Sequence, residues 1–184
     1  MTTNLALSPA ERERMEALKK TQDINGLIDV LAHHWNSDCR YEAALYLGKM
    51  KASEAVLPLI SALEKDDGLH VRINAARALA LIGDERALGS LIKALKNTHP
   101  FYGAIREHAA EALGNLGNPE AIDPLIAALR VKNIEVRVAA IIALGKIGNI
   151  NAIKPLESIK KSDNIRLYRE ANEAISKISS RITK

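Results

Sequence analysis

CRYEAALYLGKM at 39–50, VRINAARALALI at 71–82, IREHAAEALGNL at 105–116 and VRVAAIIALGKI at 136–147 align without gaps. A degenerate fifth copy, LYREANEAISKI, follows at 167–178, and successive copies begin 32, 34, 31 and 31 residues apart. A fixed period in this range marks a stacked-repeat architecture, in which each unit buries its apolar face only against its neighbours. Such stacks seldom enclose a pocket for chemistry. They present a long surface on which something else is held.

Within each copy the apolar and small residues recur at helical spacing. In the third they are Ile105, Ala109, Ala112, Leu113 and Leu116, which describes one helix, A, with an alanine-rich face. Small residues allow close approach, so the unit is suited to packing against copies of itself. Gly83, Gly117 and Gly148 share the column just after helix A, where a left-handed residue closes a helix. A second helix, B, follows. In copy three Asn118 is its N-cap, Pro119 its first residue and Glu120 complements the dipole. Its apolar set is Ala121, Ile122, Leu125, Ile126 and Leu129, repeated as Ala55, Val56, Leu59, Ile60, Leu63 and as Ala87, Leu88, Leu91, Ile92, Leu95. Pro58, Pro124 and Pro155 fall in one column of helix B. An interior proline forfeits a backbone bond, so helix B is expected to start late or bend there.

The ends read as caps. Ser8-Pro9-Ala10-Glu11 is a capping box opening a helix over about 9–19. DINGLIDVL at 23–31 matches the helix B columns through Leu27, Ile28 and Leu31. At the far end the columns of Ile126 and Leu129 become Glu157 and Lys160, a polar outer face suited to a terminal unit. The expected fold is all-α, a right-handed α-solenoid of four to five helix pairs with helical caps and about eleven helices. Its parts are an N-terminal cap at 1–36, four repeats at 37–162, and a capping helix with tail at 163–184, forming one continuous domain.

The pattern x-V-R-x-x-A-A-x-A-L-G-x-h-G followed by A-h-x-P-L-h-x-x-L resembles the HEAT-like repeat of the phycobilisome-lyase type, over about 23–178. That resemblance implies a role either as a scaffold or as a bilin lyase or phycobilisome-degradation factor. Fold alone does not decide between these. It also implies that Arg40, Arg72, Arg106 and Arg137, one per unit, form a ladder tying adjacent units through bonds to acids or carbonyls. The deoxyhypusine hydroxylases, another HEAT-like family, resemble a set carrying His-Glu pairs at the third and fourth positions of helix A. Here those positions read Tyr41-Glu42, Ile73-Asn74, Glu107-His108, Val138-Ala139 and Arg169-Glu170, so that chemistry lacks its ligands.

Charge narrows the partners. The net charge is +4. From Lys154 onward there are eight Lys/Arg against four Asp/Glu, leaving 18 of each sign before it. A chain gripping phosphates along its length would not be neutral over most of it. Nucleic-acid binding through Lys93, Lys96, Arg130, Lys154, Lys160 and Lys161 is a third and weaker alternative, because Glu120, Asp123 and Glu157 interrupt that row, and steep salt dependence of binding would be its mark. No stretch reaches the ~20 apolar residues of a membrane span, so membrane insertion is not expected. The N-terminus does not read as a secretory signal, and one cysteine permits no internal disulfide. The cytoplasm is the expected location.

Three regions offer site residues. His33, His34 and Cys39 are close in sequence, but a structural zinc needs four ligands. Cys39 shares the column of Val71, Ile105 and Val136, so it reads as a small core residue, and no metal is expected. The connection KNTHPFYGA between copies two and three is the longest and holds Phe101 and Tyr102 beside His99 and Pro100. Phe101 either anchors a partner or folds inward to plug the gap between units. Trp35, with His33 and His34 in an equivalent inter-unit turn, either extends the same rim or packs against the N-terminal cap, the second being the leading reading. The third region is the outward face of helix B, on the concave side of such a solenoid. Its variable columns carry Asn25, Leu57, Gly89, Asp123, Lys154 and Asp29, Ser61, Lys93, Ala127, Ser158, flanked by Glu54, Arg86, Glu120 and Asn151. With no phosphate loop, nucleophile elbow or triad, the leading expectation is a non-catalytic scaffold for a protein partner. It would use Leu57, Arg86, Lys93, Phe101, Tyr102, Asp123 and Lys154, with no catalytic residue and no cofactor. The alternative is a phycobilin lyase or chromophore-handling factor acting on a phycobiliprotein, for which a bilin would be the ligand.

Overall fold

The computed structural model describes residues 7–159 and 164–182; Lys160 and Lys161 of the basic row lie outside them. Among the described residues there are eleven α-helices and no strand. Two compact units divide the chain, 1–87 and 88–184.

Unit one begins with α1 (Pro9–Thr21) and α2 (Ile24–His33). The Ser8 hydroxyl accepts from the Glu11 amide while the Glu11 carboxylate accepts from the Ser8 amide, a complete capping box. Helices α3 (Ser37–Lys49) and α5 (Leu69–Ile82) are A helices lying against one another, with the B helix α4 (Val56–Lys65) between them in sequence. Unit two repeats the alternation: α6 (Leu88–Lys96), α8 (Ile122–Ala128) and α10 (Ile153–Ile159) are B helices, and α7 (Gly103–Leu116), α9 (Ile134–Ile147) and α11 (Ile165–Ile182) are A helices. In this unit α9 packs between α7 and α11, and every B helix packs on the A helix that follows it.

The core follows from the repeat columns. Ala75, Ala76 and Leu79 of α5, Ala109, Ala112 and Leu113 of α7, and Ala140, Ala143 and Leu144 of α9 are all buried. A helices approach one another most closely at a glycine. A Cβ on Gly114 would lie 2.6 Å from Ala143 Cα, one on Gly145 would lie 3.0 Å from Ala174 Cα, and one on Gly48 would lie 2.7 Å from Ala78 Cα. The glycine of the A-L-G motif is therefore a packing residue, with an alanine from the next A helix in the space a side chain would need.

Helix B starts late for a definite reason. A 3-10 turn precedes each of the four B helices after α2: Ser53–Ala55, Glu85–Ala87, Pro119–Ala121 and Ile150–Ala152. Pro58, Pro124 and Pro155 consequently sit in the first α-helical turn, whose amides have no partner inside the helix.

Candidate partner-binding faces

The outward columns of helix B are where the sequence places them. Asn25, Leu57, Gly89, Asp123 and Lys154 are exposed, as are Asp29, Ser61, Lys93, Ala127 and Ser158. Each unit carries a groove between consecutive B helices. In unit one, Leu31 and Ala32 of α2 face Leu57, Pro58 and Ser61 of α4 across a groove of ≈ 430 Å³. In unit two, Leu129 and Arg130, at the end of α8, face Lys154, Pro155 and Ser158 of α10 across ≈ 330 Å³. The two grooves are built from the same repeat columns. What differs is the lip: Ala32 and Leu57 in the first, Arg130 and Lys154 in the second. The first groove has an apolar lip with Lys65 and Asp66 also in its lining, and the second a cationic lip on an apolar floor.

One residue of the sequence-derived set, Arg86, is exposed yet already hydrogen-bonded. Arg86 is spent inside unit one, where its Nη2 donates to the Ser53 carbonyl at 2.9 Å and to Asp84 Oδ2 at 2.7 Å. That bond, with the Arg86 amide, pulls the Asp84 carboxyl down to about 2. Leu57, 60% exposed, makes the apolar patch of its face.

Phe101 is 72% exposed and does not plug a gap. It tops a 3-10 turn, Pro100–Tyr102, against which the His99 ring packs, 5.6 Å from Phe101 and 5.5 Å from Tyr102 between centroids. Trp35 corrects the sequence reading. It is also 72% exposed rather than packed against the N-terminal cap, and it stacks only on its neighbour His34 at 5.9 Å. The turn before α3 is held by backbone bonds to Arg40, so the indole is not needed to fill it.

Three of the four repeated arginines reach back to the end of the preceding B helix, where carbonyls lack helical partners. Arg72 Nε donates to the Leu63 carbonyl at 2.9 Å and Arg106 Nε to the Leu95 carbonyl at 3.0 Å. Arg40 donates instead to the carbonyls of His34 and Trp35 and to Asp66 and Asp67. Arg137 departs from the pattern: its Nε is buried without a hydrogen bond. The α8 helix ends early there, in successive turns through Val131.

On the A-helix side of unit two a smaller hollow of ≈ 200 Å³ lies over Val138 and Ile142. Four of its five charged groups are already engaged: Glu135 with Arg166 and Lys146 with Asn115, both at 2.7 Å, and Glu111 with His108 at 3.3 Å. Among the described residues no helix is long and apolar enough to cross a membrane.

The alternation of A and B helices has counterparts among known proteins. The model for HEAT repeats matches residues 24–103 and 102–176. This chain belongs to the HEAT-repeat family. Its repeats are similar to those of phycocyanobilin lyase subunits. It is 38% identical over 98 residues to the phycocyanobilin lyase subunit alpha of Microchaete diplosiphon, covering 47% of this chain and 33% of that one. It is 41% identical over 61 residues to the bilin biosynthesis protein PecE of Mastigocladus laminosus, covering 33% of this chain and 23% of the other. The chain thus spans a third or less of the curated relatives it matches. Among solved structures, the complex of CpcE and CpcF of phycocyanin lyase from Nostoc sp. PCC7120 superposes with a TM-score of 0.76 at 29% identity, covering 87% of this chain and 66% of that one. An archaeal HEAT-like repeats protein from Thermococcus onnurineus NA1, at TM-score 0.62 and 14% identity, shares the fold.

Proposed function

We propose that this HEAT-repeat chain serves a phycobilin-lyase-type system, holding a phycobiliprotein on the outward faces of its B helices while a bilin is handled. The observation that carries this reading is the pair of matches to phycocyanobilin lyase subunit alpha and to PecE, joined by the superposition on the CpcE–CpcF complex. The two B-helix grooves and the exposed Leu57 and Phe101 supply a surface of the kind a protein partner needs.

The test mixes the purified chain with an apo-phycocyanin subunit and phycocyanobilin, with and without a second lyase subunit. It follows partner binding by gel filtration and bilin attachment by visible fluorescence on a denaturing gel. Binding of the apo-protein with accelerated attachment supports the reading; neither one sinks it.

A non-catalytic scaffold is the second reading, favoured by the outward position of Leu57, Trp35 and Phe101, which are anchors for a surface and line no enclosed cavity. It is distinguished by stoichiometric binding of the apo-protein with no change in bilin attachment.

A further inference from the structure

One oxygen, one nitrogen and one sulfur ligand meet at the start of unit one. Glu11 of α1, His34 at the end of α2 and Cys39 of α3 place one ligating atom each within 4.8 Å of one another. Glu11 and His34 are each held from outside by one hydrogen bond, with the other polar atom facing in. Glu11 uses Oε2 for the capping box, accepting from the Ser8 amide at 2.7 Å. Its Oε1 is buried and has no hydrogen bond. His34 Nδ1 accepts from the Asn36 amide at 3.1 Å, which turns Nε2 toward Glu11 Oε1, 3.7 Å away. That distance is too long for a hydrogen bond. It is near the roughly 3.4 Å edge of a tetrahedron whose metal–nitrogen and metal–oxygen bonds are about 2.1 Å. Cys39 is 1% exposed.

The capping box and the helix dipole account for Oε2 and for the charge of Glu11, but not for Oε1, which faces inward without a hydrogen bond. A buried carboxylate oxygen without a partner is costly. The Asn36 side-chain nitrogen is also buried there and not aligned for a bond, although it lies close enough to help lower Glu11.

We propose that Glu11, His34 and Cys39 form a divalent-cation site of the zinc class that pins α1 to α2 and α3. One thiolate, one imidazole and one carboxylate with water in the fourth place suit zinc better than the hard, all-oxygen cations. Loading sends the Cys39 proton to solvent, because the thiolate and not the thiol binds the metal. The His34 ring proton passes from Nε2 to Nδ1, so ligation exchanges the bond from the Asn36 amide for the metal–nitrogen bond.

The test is titration of the whole chain with Co²⁺. It reads the thiolate-to-cobalt charge-transfer band and the visible bands of tetrahedral cobalt, followed by displacement with Zn²⁺. One equivalent is expected, with one proton released per metal and a rise in Tm on adding Zn²⁺. Two variants keep the fold independent of the result. Cys39→Val installs the residue that the same column carries at Val71 and Val136, and Glu11→Gln preserves the capping box. Each should weaken binding by about tenfold or more and abolish the zinc-dependent rise in Tm, with Cys39→Val also losing the charge-transfer band. His33→Ala should bind as the parent does, because His33 is turned to Asp29 at 3.1 Å. Absence of the charge-transfer band in the parent, or affinity unchanged in Cys39→Val and Glu11→Gln, overturns the proposal.

Discussion

Arg40 grips Asp66 through two parallel hydrogen bonds, Nε to Oδ2 and Nη2 to Oδ1, each 2.8 Å. The same guanidinium closes the turn before α3 by donating Nη1 to the carbonyls of His34 and Trp35. Arg40 is 8% exposed, so this is a buried charge pair in which every arm of the fork is used. Removing one partner of such a pair strands the other. Arg40→Ala should cost about 3–5 kcal/mol, and Arg40→Lys should recover little because a single ammonium cannot match the fork. Urea denaturation of the three proteins measures both.

The pair also sets an acid limit. Burial alone would raise the Asp66 carboxyl, but the bond from Arg40, the Gly68 amide and the Arg40 charge together hold it below its ordinary value. A carboxyl whose folded pKa is depressed contributes stability above its unfolded pKa and loses it as pH falls through the folded one. Stability should therefore decline from about pH 4 downward. Asp66→Asn, less stable at neutral pH, should show a shallower decline, and thermal melts across that range decide it.

Glycine substitutions should divide by sign. At Gly114 a Cβ would meet the backbone of Ala143, which cannot move without parting α7 from α9. Gly114→Ala should destabilise by about 1–3 kcal/mol. Gly89, in the first turn of α6, has an ordinary φ, and a Cβ added there would meet nothing within 4 Å. Gly89→Ala should stabilise by about 0.4–1 kcal/mol through the unfolded chain. Denaturation midpoints of the two variants test the contrast.

The closing residue of the first A helix breaks the glycine rule. Gly83, Gly117 and Gly148 adopt φ of +70, +69 and +79, and Lys51, in the same column, is held at φ 52. A left-handed non-glycine residue costs about 1–2 kcal/mol. Lys51→Gly should raise stability by about 1 kcal/mol after glycine's own entropy is set against that gain, visible as a higher Tm.

Periodicity makes the helices legible because it reports which face must be buried, and a repeated unit states that face several times. The exposed B-helix columns are legible for the same reason, as the positions that vary inside copied units. Local sequence does not show that Arg86 is consumed by Asp84 and Ser53, or that Trp35 lies outward, since both depend on how a turn closes. The packing role of Gly48, Gly114 and Gly145 is present in the A-L-G motif, but the alanines around it are enough to explain close approach and so hide it. Glu11 is recognisable as a cap. Its second oxygen, facing His34 from a different helix, has no signature in spacing.

The two B-helix grooves should differ in how salt affects them. Leu57 lies over an apolar floor, so Leu57→Asp should weaken binding of apo-phycocyanin by about tenfold or more at any ionic strength, as the loss of a buried anchor does. Arg130 and Lys154 flank the second groove as exposed cations, so Lys154→Glu should weaken binding at low salt and converge on the parent as salt screens the lip. Both side chains are exposed, and neither change should move stability by more than about 0.5 kcal/mol. Binding isotherms at two salt concentrations, with melts of each variant, separate the terms. If Leu57→Asp binds as the parent does, the unit-one groove is not the partner's seat. A Lys154→Glu defect that persists at high salt would mean the second groove acts through packing instead of charge.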